Sequence, residues 1–192
     1  MAQYKANISP FINVEFYVTS VWWELPRNHR GLDIATPSSL GNVPLYSMCN
    51  GRVVNKGDDP DGFGYYIIMK DDLTRLGFLY AHLHQASHLN IGDTVSIGSH
   101  VGYEGTTGNS TGIHLHLEMQ DLTSHEWIFN ADKSYYINPA TYMGFPNEEG
   151  ISVIYEGTPI TPPDDPGGDT PTTKKKKGYN FVLFGRRRRI YG

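Results

Sequence analysis

Three short stretches hold most of the side chains in this 192-residue chain that could do chemistry. The first is His29-Arg30-Gly31-Leu32-Asp33, in which an imidazole and a carboxylate stand four residues apart around a glycine that permits a sharp backbone path. It supplies one nitrogen and one oxygen donor. The second runs from Thr107 through Gly108, Gly112, Ile113, His114, Leu115, His116 and Leu117 to Glu118, a glycine-rich turn opening into alternation. The third is Tyr80-Ala81-His82-Leu83-His84. Imidazole nitrogen and carboxylate oxygen are ligands of zinc, and a catalytic zinc keeps three protein ligands and leaves the fourth position to water. Two histidines and one aspartate would complete such an open site. Eight histidines exceed that need, which implies a division of labour between ligands and proton carriers, a task suited to a group with an ordinary pKa near 6.5.

Strands position these groups. Side chains alternate across a strand, so His114, His116 and Glu118 fall on one face and Ile113, Leu115, Leu117 and Met119 on the other. The apolar face is expected against the core and the polar face at the site. The same rule puts Leu76, Phe78, Tyr80, His82 and His84 on one face, from which one histidine approaches the metal without binding it. Further β-type runs are Val43 to Met48, Gly51 to Lys56, Tyr65 to Lys70 and Leu76 to Leu83, separated by turn clusters such as Asp58-Asp59-Pro60-Asp61-Gly62 and Gly92-Asp93. With 21 glycines, 12 prolines and no helical pattern of convincing length, the reading is a mainly β chain, an antiparallel sheet or sandwich with long loops.

The three motifs together resemble the lysostaphin and LytM-type family of zinc endopeptidases, whose hallmarks are His-x-x-x-Asp, an intervening Tyr-x-His-Leu and a glycine-rich turn before His-Leu-His. The resemblance spans about Thr19 to Tyr142, takes in Gly51-Arg52-Val53-Val54 and Gly92-Asp93-Thr94-Val95, and is tightest from Gly105 to Glu118. Ser20 to Arg27 match only loosely. The resemblance implies one zinc ion held by His29, Asp33 and His116, catalytic histidines at His82 and His114, and a groove on an antiparallel β fold. It implies peptide cross-links or stem peptides of bacterial peptidoglycan as substrate, with glycine or D-amino acids in them. The competing reading is a non-enzymatic wall-binding or phage structural module on the same fold; the filled ligand set argues against it.

Other groups carry blander expectations. Glu118 either orients a ligand imidazole or is a solvated carboxylate. His84, His88, His100 and His125 are expected at the surface or in loops, and Asp58, Asp59 and Asp61 in a solvated turn. Trp22, Trp23, Tyr65, Tyr66 and Tyr80 either line a peptide groove or pack. Cys49, the single cysteine, excludes an internal disulfide framework and a cysteine-cluster zinc site, and reads as a small buried hydrophobe.

Charge divides the chain. Residues 1–170 hold all 20 acidic residues and 8 of the 16 lysines and arginines, whereas residues 171–192 hold the other 8 and no acid. The expected organisation is an endopeptidase domain at 1–146, a Pro/Thr/Asp-rich linker at 147–173 that cannot bury enough surface to fold, and a basic-aromatic tail at 174–192. In the tail, Lys174 to Lys177 and Arg186 to Arg189 flank an apolar octet, a pattern suited to an anionic wall polymer or membrane surface; nucleic acid is not expected. No apolar stretch reaches the roughly 20 residues of a membrane span, and no secretory signal is visible. Action at the wall would then follow delivery by a phage particle or a lysis pathway.

Overall fold

A computed structural model describes residues 3–26, 28–37, 40 and 42–158. Its strands are β1 (Gln3–Lys5), β2 (Glu15–Ser20), β3 (Leu32–Ala35), β4 (Pro44–Tyr46), β5 (Gly51–Asp59), β6 (Gly64–Asp71), β7 (Leu76–Leu83), β8 (Thr94–Val95), β9 (His100–Tyr103), β10 (Leu115–Asp121) and β11 (Ser152–Ile154). Each of the five expected β runs overlaps one of them. A single five-residue helix, α1 (Pro139–Met143), is the α-helix among the described residues. Its limits are local chemistry: the Asn138 side chain accepts from the backbone N–H of Ala140 and Thr141, Pro139 opens the first turn, and Gly144 ends it at φ 90°.

Nine strands form one sheet in the order β1-β11-β2-β3-β10-β7-β6-β5-β8, and β4 pairs with β9 apart from it. Every pairing is antiparallel except β1 with β11. The motif strand β10 is the central one, flanked by β3 and β7, so the stretches bearing His29 and Asp33, His82, and His116 are brought side by side by the ladder itself.

On one face Leu115, Leu117 and Met119 of β10 join Leu32 and Ile34 of β3, Phe78 and Tyr80 of β7, Ile67 and Met69 of β6, and Leu45 and Val101 of the small sheet in a single buried cluster. Each such side chain contributes about 1.5–3 kcal/mol when removed from water, which locks the register and with it the opposite face. That opposite face carries a small cluster of Ile68, Leu79 and Ala81, packed by Phe63, Tyr66 and Trp127. The segment after β10 covers its far end, where Gln120 exchanges two hydrogen bonds with the backbone of Ile128.

One open alternative is resolved and three expectations are corrected. Tyr80 is fully buried and donates its hydroxyl to the Tyr46 carbonyl, so it packs and lines no groove. His82 does not share the face of Phe78 and Tyr80, for a reason given below. His100 lies buried on β9 with its ring stacked on His88, because β9 covers the core rather than forming a loop. The folded part also runs past residue 146: β11 lies within the stretch read as linker, yet it inserts between β1 and β2, and its Val153 joins the core. Three apolar or β-branched positions after Gly150 suffice for that strand. Residues 159–192, with the rest of the expected linker and the basic tail, lie outside the described residues. Cys49 is buried, and burial pushes its thiol up to about 12. None of the described helices is long and apolar enough to cross a membrane.

Candidate metal centre

Asp33 and His116 are direct cross-strand partners on the face opposite the core. Antiparallel neighbours put their Cβ atoms about 4.5–5.5 Å apart, close enough for the side chains to converge, and His116 Nδ1 lies 2.8 Å from Asp33 Oδ1. His29 enters from the loop between β2 and β3. Its Nδ1–H donates to the Val21 carbonyl at 3.0 Å, which turns Nε2 towards the same point, 3.1 Å from Asp33 Oδ1 and 3.1 Å from His116 Nδ1. Gly31 makes the convergence possible: a Cβ there would stand 2.5 Å from His116 Cε1 and 2.9 Å from the Leu117 carbonyl oxygen.

Because the Nδ1–H of His29 is committed to a carbonyl, its Nε2 offers a lone pair, and that lone pair confronts a carboxylate oxygen at hydrogen-bond distance. Such an arrangement needs a positive charge between the acceptors. The three atoms stand 2.8–3.1 Å apart, against about 3.3 Å expected between ligands of a tetrahedral ion at 2.0–2.1 Å. His29, Asp33 and His116 therefore could hold a metal ion with little rearrangement, and they form the group of that kind among the described residues.

Glu118 completes the arrangement from behind. Two residues along β10 and almost fully buried, it accepts from His116 Nε2 at 3.2 Å. Of the two readings of this residue, the orienting one agrees with the structure and the solvated one does not. Burial alone would lower the pKa of His116, but hydrogen bonds to Asp33 and Glu118 outweigh it and raise the imidazole to about 9. For Asp33 burial acts upward, and the adjoining His116 and His29 imidazoles overcome it, holding the carboxyl well below the usual carboxylate range.

His82 reaches the site by breaking the alternation of its strand. It adopts φ 58°, a left-handed conformation costly for a residue other than glycine, and its N–H leaves the ladder for the Phe63 carbonyl. The ring thereby crosses from the core face to the site face, with its centroid 4.8 Å from that of His114 and 5.8 Å from that of His116. The Thr107 carbonyl, 2.8 Å away, accepts from Nδ1–H and leaves Nε2 with the lone pair. Burial and the neighbouring His116 lower its pKa to about 4, so the ring is neutral at pH 7. His114, in a bridge with Gly105, is held likewise: Nδ1–H donates to the Gly112 carbonyl at 2.8 Å, and Nε2 lies 3.7 Å from Asp33 Oδ1. A Cβ at Gly105 would come within 2.2 Å of the His84 backbone nitrogen, so the glycine-rich turn can lie this close to β7 only without a side chain there.

All five predicted site residues are thus brought together, whereas His84, His88, His100 and His125 are not among them. What the sequence did not announce is a cavity of about 270 Å³ beside the triad, lined by Asn28, Arg30, Phe63 and Asn130 together with His29, His116 and Glu118. Phe63 packs its ring 5.8 Å from that of His116 and 6.0 Å from that of Phe129. The signal that could have marked part of it is residue type, because Asn28 and Asn130 both adopt positive φ, which asparagine tolerates better than most.

Known proteins are similar to this chain in sequence and in fold. The peptidoglycan DD-endopeptidase ShyA of Vibrio cholerae is 35% identical over 92 residues, which are 47% of this chain and 20% of ShyA. The DD-carboxypeptidase/endopeptidase Mpg of Neisseria meningitidis is 34% identical over 92 residues, 48% of this chain and 20% of Mpg. The chain thus spans about a fifth of the length of these relatives. Among solved structures, the catalytic domain of a prophage-encoded M23 protein, EnpA, from Enterococcus faecalis superposes with a TM-score of 0.56 at 26% identity, covering 71% of this chain and 98% of that one. A glycyl-glycine endopeptidase described as putative, lytM from Ruminococcus gnavus, does so with a TM-score of 0.57 at 26% identity, over 79% of this chain and 65% of that one. Residues 27–131, more than half of the chain and all five convergent side chains, match the model of peptidase family M23, and the chain belongs to that family.

Proposed function

We propose that the chain is a zinc metalloendopeptidase that hydrolyses peptide cross-links or stem peptides of bacterial peptidoglycan. The observation that carries the reading is the convergence of two imidazole nitrogens and one carboxylate oxygen at His29, Asp33 and His116, with His82 and His114 beside them. The matching relatives named as peptidoglycan endopeptidases support the substrate class. A zinc ion, when bound, supplies Lewis acidity that can bring the pKa of a water from 15.7 to about 7.

The remaining work falls to the chain. His82 accepts a proton at Nε2: its other nitrogen is anchored on Thr107, and the ring is neutral at pH 7. His114, anchored on Gly112, presents its Nε2 on the same side and, when that nitrogen also carries a proton, donates it to the oxygen that gains charge as the carbonyl becomes tetrahedral, or to the departing amine. Glu118 fixes the His116 ring so that Nδ1 faces Asp33. Phe63 and its aromatic neighbours wall one flank against water.

A zymogram on purified walls tests the reading, repeated with a chelator and with His82→Ala and His116→Ala. Clearing by the native chain that all three changes abolish is expected. Clearing that survives them would refute the metal mechanism, and no clearing on any wall type would favour the non-enzymatic module.

A further inference from the structure

The cavity beside the triad contains a charge that the reaction leaves unused. The one carboxylate that lines it, Glu118, takes a hydrogen bond from His116 on one of its oxygens. Arg30 has no ionic partner: among the described residues no ion pair involves it, and its one hydrogen bond runs from Nε to the Ala131 carbonyl at 3.4 Å. That leaves both terminal nitrogens, the pair that can join in gripping a carboxylate in a fork. Asn28 and Asn130, both exposed, line the same cavity and add neutral amides able to donate or accept. Phe63 closes the other side. The surroundings sharpen the contrast, because residues 1–170 hold 20 acids against 8 lysines and arginines, so a cation without an ion-pair partner is scarce in the body.

We propose that this cavity is a subsite for a free carboxylate on the substrate peptide, read by Arg30 and oriented by Asn28 and Asn130. The inference rests on the peptidase reading above and adds to it a specificity: a peptide bearing a carboxylate near the scissile bond is preferred over the same peptide with that group amidated. A carboxylate can come from the end of a stem peptide or from a side chain along it, and the two are separated by amidating one at a time.

The test uses the full metal-loaded chain and three cross-linked stem-peptide dimers: one with both carboxyls free, one amidated at the chain end, and one amidated on the side chain. For the native chain, kcat/KM should fall about tenfold or more on amidation of one of the two carboxyls, with the change in KM and not in kcat. Arg30→Gln should lose that factor on the acid and leave the corresponding amide within about twofold, while Arg30→Lys should keep part of the preference. Equal rates of the native chain on all three dimers would overturn the proposal. So would an Arg30→Gln loss that is the same for acid and amide, since it would mean that Arg30 only supports the Ala131 loop. Calorimetric binding of the uncleavable monomer peptide, as acid and as amide, provides a readout independent of turnover. If no dimer is cut, the peptidase reading fails by itself. Acid binding that is tenfold tighter and lost in Arg30→Gln then still supports the subsite, and equal binding removes it.

Discussion

Replacing Glu118 by glutamine should weaken the metal centre by an amount that depends on pH in a particular direction. Glu118 accepts from His116 Nε2 at 3.2 Å while His116 Nδ1 faces Asp33 at 2.8 Å. In the metal-free chain the imidazole is therefore held as a cation, its pKa raised to about 9. A metal must displace the Nδ1 proton, and at pH 7, two units below that value, the displacement costs about 2.7 kcal/mol at 1.36 kcal/mol per unit. In Glu118→Gln the side-chain amide would still offer an oxygen to Nε2 but no charge. Loss of such an outer carboxylate typically lowers metal affinity about 10- to 100-fold. The same carboxylate, however, also supports the competing proton. Above pH 9, where no proton competes, the full 10- to 100-fold deficit should appear. At pH 6–7 the variant gives up its proton more easily, and the deficit should shrink to about threefold or less. Zinc competition against a chromophoric chelator from pH 6 to 9.5 measures it, with circular dichroism to show that both chains are folded. A deficit that is constant with pH would mean that Glu118 acts by packing alone, and none at pH 9.5 would refute the carboxylate–imidazole linkage.

Four further outcomes are expected. His82→Ala should lower kcat on wall peptides about 10²- to 10⁴-fold while zinc content stays at one per chain, as read by mass spectrometry of the native protein. Gly31→Ala should lose metal as well as activity, because its Cβ would press on the His116 ring and on the rigid Leu117 carbonyl; equilibrium dialysis against zinc checks it. The metal-free chain should be most stable near pH 6.5, because His82, whose pKa is lowered to about 4 in the fold, costs stability as pH drops from 6.5 towards 4. The stability from the raised His116 is fully present below its unfolded value near 6.5 and is lost as pH climbs to about 9, whereas that from the lowered Asp33 is lost as pH falls below about 4. Scanning calorimetry across pH 3–10 measures this, and the metal-loaded chain should not show the alkaline decline. Converting Lys174 to Lys177 and Arg186 to Arg189 to glutamine should reduce retention on purified walls or anionic vesicles at low salt, and the native chain's retention should fall as salt rises; equal retention of both would end the targeting idea for the tail.

Sequence patterns reached the site where the chemistry obeys periodicity. On β10 the alternation of Leu115, Leu117 and Met119 with His116 and Glu118 is the alternation of core and site, and the spacing of His29 and Asp33 is that of a loop feeding a strand. Where tertiary contacts decide, the pattern was silent or misleading. Whether Glu118 is solvated depends on what covers the sheet, and that cover comes from the segment after β10. Nothing in the sequence tells that the Val21, Thr107 and Gly112 carbonyls each take an imidazole N–H, because any residue supplies a carbonyl. Nor could composition show that three residues after Gly150 would slide between β1 and β2; a strand this short is defined by its neighbours.

The placement of His82 shows why that failure is informative. Strict alternation would bury its ring beside Tyr80 in the core, where an imidazole would need partners the apolar cluster does not offer. The chain instead adopts φ 58° at that residue, a cost of about 1–3 kcal/mol, and turns the ring to face His114 and His116. Trp23, Asn28 and Asn130, three of the other five non-glycine residues with positive φ among the described residues, lie in the loop bearing His29 or line its cavity. Strain gathered there, and not spread evenly over the loops, is what a site maintained for geometry against local preference should show. His82 is the residue at which that preference is overridden most plainly, because its own strand would otherwise carry it out of reach.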